Sequence, residues 1–162
     1  MKGSHANGFT LIEVLVVITI VGVMAGVATF AFGNLDGRWL QSEAGRLRQV
    51  LNHAVDTALM DQTNLKWTYQ AEHKRYRFEI LDREGEWQPA PGAAFEAHQF
   101  ERAVEVDLEQ PGQPFDRDDA ALYFSASGEY SPFRLALKQG DNTWVLSGDG
   151  INTVVPGEAA RQ

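Results

Sequence analysis

Between Phe9 and Phe32 the chain runs FTLIEVLVVITIVGVMAGVATFAF, 24 residues whose single ionisable side chain is Glu13. The 19 uncharged residues from Val14 to Phe32 would cover roughly 28 Å as a helix, close to the hydrocarbon thickness of a bilayer. The run therefore reads as a membrane-spanning helix. Lys2 is the only fixed positive charge before it, which puts the amino terminus in the cytoplasm and the bulk of the chain outside. A secretory signal peptide would have an apolar region of about 7–15 residues followed by small residues at a cleavage site. Here the run is longer, and the small residues Asn7 and Gly8 precede it. A plain signal anchor explains the length but not a carboxylate five residues in.

An acidic group in mid-membrane costs about 2.5–3.5 kcal/mol on insertion scales, less near a helix end, and such groups are usually paired. Cutting the chain between Gly8 and Phe9 would create an α-ammonium near one end of the apolar helix. In a bundle of such helices, a neighbouring copy's Glu13 is placed to neutralise it. Processing coupled to assembly is thus written into the residues.

The leader MKGSHANG followed by Phe9-Thr10-Leu11-Ile12-Glu13 and the apolar run resembles the class III signal of type IV pilins and type II secretion pseudopilins. The resemblance implies cleavage by prepilin peptidase after Gly8, N-methylation of Phe9, and docking of the subunit into a filament through Glu13. It also implies an inner-membrane subunit with a periplasmic head that later packs its helix in the core of a filament. The implied partners are the inner-membrane assembly platform, membrane lipid before assembly, and other subunits afterwards.

Residues 33–38, GNLDGR, bring two glycines and the first charges after the run. Beyond them Leu40, Ala44, Leu47, Leu51, Ala54, Val55 and Ala58 recur at spacings of three and four, the apolar face of an amphipathic helix reaching about Met60. With no proline before Pro89, one helix from about Phe9 to Met60 is expected, bent if anywhere at Gly33 or Gly37. The expected organisation is a leader over 1–8, a filament-core helix over 9–32, its amphipathic continuation over 33–61, and a β head over 62–162. In the head Leu65, Trp67 and Tyr69 alternate with polar residues, as do Tyr76, Phe78 and Ile80, which predicts a hairpin. Further strands are expected at 102–108, 122–124, 133–137 and 144–146, about six in all on one helix, an α+β pilin-like fold.

Charge sharpens this division. The chain of 162 residues has 14 Lys+Arg and 22 Asp+Glu, net −8. Residues 82–119 hold 11 acidic and 3 basic groups, so the whole imbalance belongs to that stretch. Its periodicity mostly disappears, and a segment this long without regular structure is functional or mobile. We expect it to be surface exposed, with Trp87, Phe95, Phe100 and Phe115 pinning it to the head.

The absence of cysteine excludes disulfides, Cys-ligated metals and thiol catalysis. The acidic balance argues against nucleic-acid binding, since phosphate neutralisation needs clustered Lys and Arg. The cluster Lys74, Arg75 and Arg77 alternates with Tyr76 and Phe78 and reads as the solvent face of a strand. Asp116, Asp118 and Asp119, with Asp141, Asn142 and Asp149, offer hard oxygen atoms but not the spacing of a calcium loop. His5, His53, His73 and His98 are scattered, and Ser125, Ser127 and Ser147 lie in no nucleophile elbow. No metal, cofactor or catalytic residue is expected.

The tail, Phe124 to Leu137 with Ser131-Pro132-Phe133-Arg134-Leu135, then Trp144-Val145-Leu146 and Asp149-Gly150, is similar to the last strands of the minor pseudopilin H group of type II secretion. That resemblance implies a structural subunit near the tip of a short periplasmic filament, joining other minor pseudopilins to the major one. The alternative is a minor pilin of a type IV pilus, serving assembly, adhesion or DNA uptake; a membrane-anchored periplasmic hydrolase is the remote one.

Overall fold

The computed structural model describes residues 11–111 and 121–157, without the side chains of 25–36. The chain divides into two units, Met1–Gly37 and Arg38–Gln162. Helix α1, Leu11–Met60, runs through both. The end at Met60 is where the sequence predicts it; the expected start, Phe9 and Thr10, lies outside the described residues.

In the second unit α1 buries the apolar face that its three- and four-residue spacing predicts. Leu40, Ala44, Leu47, Leu51, Ala54 and Ala58 are all buried in one core with the strands. Small residues at 44, 54 and 58 let the sheet approach while the leucines fill the remaining space.

Two antiparallel sheets complete that core. The first contains β1 (Leu65–Gln70), β2 (Arg75–Leu81), β3 (Trp87–Pro89), β4 (His98–Gln99) and, later in the chain, β6 (Ala121–Phe124). Its order is β3-β2-β1-β6, with β4 sharing the outer edge of β2 with β3. The expected hairpin forms in the register that puts its apolar residues on one side, with Trp67 opposite Phe78 and Tyr69 opposite Tyr76. Its turn closes through Lys74 at φ 48°, a left-handed conformation for a residue with a Cβ.

The second sheet runs β5-β7-β8-β9, from β5 (Glu105–Glu109), β7 (Phe133–Gln139), β8 (Asn142–Gly148) and β9 (Val155–Pro156). Leu135 and Leu137 on β7 are fully buried and meet Leu108 and Val106 of β5. The fold is α+β, as the sequence predicts.

Nine strands stand among the described residues, where six are expected. The three additional ones are two or three residues long, too short for alternation to register. Two of them contain proline, Pro89 and Pro156, and both strands are sheet edges, where a missing N–H breaks no ladder. The strand expected over 102–108 begins at Glu105. The preceding backbone turns inward instead, burying Val104 and offering its carbonyl to the Tyr69 hydroxyl at 3.1 Å.

Candidate assembly site

The first unit carries Glu13 in the first described turn of α1, near the end of the helix whose dipole favours a negative charge. From Leu11 to Met24 every residue except Glu13, Thr19 and Gly22 is Leu, Ile, Val or Met, and all of these stand exposed. Thr19 turns its hydroxyl back onto the Leu15 carbonyl at 2.8 Å, so it adds no free polar group. An apolar surface that extends all round a helix needs lipid or other helices as cover. Gly8 and Phe9, the expected processing pair, lie outside the described residues. Among the described residues no helix is long and apolar enough to cross a membrane. The expected run over 9–32 is described with side chains only from Leu11 to Met24, about 21 Å of helix, short of the roughly 30 Å of a hydrocarbon core.

The second unit fixes its acidic segment to the core at several points. Phe95 is buried between the His53 ring, stacked at 5.1 Å, and Phe78, also at 5.1 Å. His98 Nε2 lies 2.7 Å from Glu43 Oε2 on α1, and its ring meets Tyr76 and Phe100. Burial pushes the Tyr76 hydroxyl up to about 12, although the nearby Arg46 opposes the rise. Trp87 packs against Tyr123 and takes the Lys66 ammonium over its ring at 4.6 Å. Residues 82–109 are therefore an integral layer of the head, with Glu84, Glu86, Glu96, Glu101, Glu105 and Glu109 exposed on it. Phe115, Asp116, Asp118 and Asp119 lie outside the described residues.

Asp149, Asp82, Ser125 and Ser127 are occupied in turns. Asp149 Oδ1 accepts the N–H groups of Ile151 and Asn152, and Oδ2 accepts from the Asn152 side chain at 2.7 Å. Those donors, the Asn152 side chain foremost, hold its carboxyl down to about 2. Asp82 caps its own turn through Glu84 and Glu86 N–H, which holds it below the usual carboxylate range. Ser125 and Ser127 hydroxyls bond one another at 3.0 Å in the turn after β6. His53, His73 and His98 are not brought together: His53 stacks on Phe95, His98 pairs with Glu43, and His73 sits exposed in the β1–β2 turn.

Sequence reasoning did not single out the Glu43–His98 pair, the Asn52 side chain that holds the final segment, or a hollow on the first hairpin. Their partners lie 55 and 102 residues away in the first two cases, beyond any local pattern. Alternation alone does place Thr68 and Arg77 on the same outward face.

Residues 3–29 match the family model described as the prokaryotic N-terminal methylation motif. The chain is 32% identical over 149 residues to the type II secretion system protein H of Pseudomonas aeruginosa, covering 83% of this chain and 84% of that one. It is 28% identical over 158 residues to the protein of the same name from Aeromonas hydrophila, covering 87% and 85%. In structure it is similar to the minor pseudopilin EpsH from the type 2 secretion system of Vibrio cholerae, with a TM-score of 0.60 at 20% identity, over 75% of this chain and 99% of that one. At that identity the likeness speaks for the fold.

Proposed function

The chain belongs to the type II secretion protein H family of minor pseudopilins, and on that premise we propose that it is a structural subunit near the tip of the periplasmic pseudopilus, built to be held by its neighbours. The observation that carries this is the division of labour in the chain: a helix clothed in exposed aliphatic side chains, with one carboxylate in its first turn, and a separately cored head. The apolar run of residues 9–32 holds the precursor in the inner membrane, amino terminus inward and head in the periplasm. Prepilin peptidase cuts after Gly8 and the Phe9 amine is methylated, consistent with the methylation-motif match over residues 3–29.

Assembly then follows from electrostatics. A carboxylate among apolar helices is stable only with a compensating charge. The Phe9 ammonium of an adjoining subunit supplies it, so Glu13 selects the axial position at which a helix enters the filament core. The head makes the lateral contacts, with other minor pseudopilins on one side and the major pseudopilin on the other. Filament growth moves folded substrates towards the outer membrane, and the chain contributes surfaces and no catalysis.

A gene deletion tests the system. Loss of exoprotein secretion with twitching motility intact is the expected result; loss of twitching with secretion intact would assign the subunit to a type IV pilus. The family's relatives favour the former, and the last segment favours it too, since Arg161 is the only basic residue after Gly150 and DNA capture needs a basic patch.

A further inference from the structure

We propose that the outward face of the β1–β2 hairpin is a docking site for a carboxylate side chain on the head of an adjoining pseudopilin. The proposal rests on the minor-subunit reading above. On this face three cross-strand pairs stand in register: Lys66 with Glu79, Thr68 with Arg77, and Gln70 with Arg75. The outer two are closed, one by an ion pair and one by hydrogen bonds, although Glu79 Oε2 takes no hydrogen bond beyond its ion pair. Lys66 Nζ lies 2.7 Å from Glu79 Oε2, and Arg75 donates from Nε and Nη2 to Gln70 Oε1 at 3.1 and 2.8 Å.

The middle pair is not complete. Arg77 reaches Glu79 Oε1 at 3.2 Å through Nη2, but its Nε and the Thr68 hydroxyl are both buried without a hydrogen-bond partner. Both residues line a hollow of about 510 Å³ beside His73 and Glu72. Buried donors left unmet are destabilising, and native proteins rarely keep them without a use.

The missing group must accept from a hydroxyl and a guanidinium N–H on neighbouring strands. A carboxylate does both, with charge-assisted hydrogen bonds. Within a chain of net −8 the hairpin is a positive island: Lys66, Lys74, Arg75 and Arg77 face only Glu72 and Glu79 between residues 65 and 81. That field favours approach by an acidic partner segment. The hollow is far wider than a small ion, and it is open on the outside of a sheet, where an abutting head reaches it. Docking supplies the acceptor that the single subunit lacks.

The test uses the full-length tagged chain, co-expressed with the other pseudopilins of its system and extracted in detergent, with co-recovered pseudopilins quantified at low and high salt. Arg77→Glu is expected to lower recovery at least tenfold and Thr68→Val several-fold, with Arg77→Lys intermediate. Arg83→Glu, the same charge change on the exposed β2–β3 turn, is expected to leave recovery unchanged. Melting temperatures check that the variants fold. If Arg77→Glu does not, Arg77→Gln and Thr68→Val decide: wild-type recovery for both overturns the proposal. Equal loss in Arg83→Glu overturns it as a net-charge effect. Arg77-dependent pairing of the chain with its own copies overturns it in favour of a homodimer, and Arg77-dependent phosphate binding with unchanged recovery in favour of a free-anion site. Failure of the wild-type chain to recover any pseudopilin overturns the functional reading itself, whereas wild-type recovery indifferent to Thr68 and Arg77 overturns the docking site alone.

Discussion

Asn52 on the helix and Val154 near the carboxy terminus exchange two hydrogen bonds: Asn52 Oδ1 accepts the Val154 N–H at 2.7 Å, and Asn52 Nδ2 donates to the Val154 carbonyl at 3.2 Å. The amide thus treats the last segment as a neighbouring strand would. Val154 itself is 1% exposed, and nearby the Tyr130 hydroxyl donates to the Asn152 carbonyl. Replacing Asn52 with Ala leaves a buried backbone N–H and C=O unmet, at a cost of about 2–3 kcal/mol. Chemical denaturation should show that loss at unchanged slope, together with faster proteolysis beyond Gly150; wild-type stability in Asn52→Ala would show that the clamp contributes nothing.

Glu13→Ala and Glu13→Val remove the one charge of the apolar run without touching the Gly8–Phe9 junction. Membrane insertion and cleavage are expected to continue in both variants, with incorporation into the filament falling at least tenfold. Mass measurement of the membrane-extracted protein should show a chain that begins at a methylated Phe9. Equal incorporation of variant and wild type would remove the carboxylate–ammonium pairing from the account.

Gly148 closes β8 where no side chain fits. A Cβ there would lie 2.5 Å from Tyr130 Cε2 and 2.8 Å from Phe133 Cε1, and both rings are buried in the core. Gly148→Ala is therefore expected to destabilise the head by about 1–3 kcal/mol, as overpacked cores do. A melting temperature within a degree of wild type would show that the rings yield freely.

Acid stability should carry the signature of Asp149. Its carboxyl is held down to about 2 in the folded chain, while an unfolded Asp titrates near about 3.9. A depressed folded value means stability that is fully present above the unfolded pKa and is lost as pH falls through the folded one. The loss should therefore fall between about pH 4 and about pH 2. Asp149→Asn should flatten the stability profile in that window by lowering the neutral-pH plateau towards the acid value, measured by thermal melts at a series of pH values, with little change at about pH 2. A steep acid limb retained in the variant would assign it to other carboxylates.

Much of the architecture was legible in the chain because it follows from local periodicity. Leu40 through Ala58 at helical spacing and the alternation of Leu65, Trp67 and Tyr69 with Tyr76, Phe78 and Ile80 each encode which side is buried, and burial of apolar area dominates where such segments pack. The FTLIE motif was legible for a different reason: it is one contiguous run, within the match to the N-terminal methylation motif over residues 3–29. For residues 82–109 the aromatic anchors Trp87, Phe95 and Phe100 were legible, but not the short strands or the partners those anchors take. The strands β3 and β4 there are two or three residues long, and the partners that anchor the stretch, His53 for Phe95 and Glu43 for His98, come from the helix far upstream.

By itself the sequence determined the helix, its change from apolar all round to one-sided, the β character of the head and the methylation motif within residues 3–29, since each depends on residues within a few positions of one another. Only the tertiary structure decided that the acidic stretch is stitched to the helix, that Asn52 holds the carboxy-terminal segment, and that Thr68 and Arg77 are left with unmet donors in one hollow. Those features depend on which distant groups come within hydrogen-bonding range. That distance is set by the sum of all the packing contacts, not by any one stretch of residues.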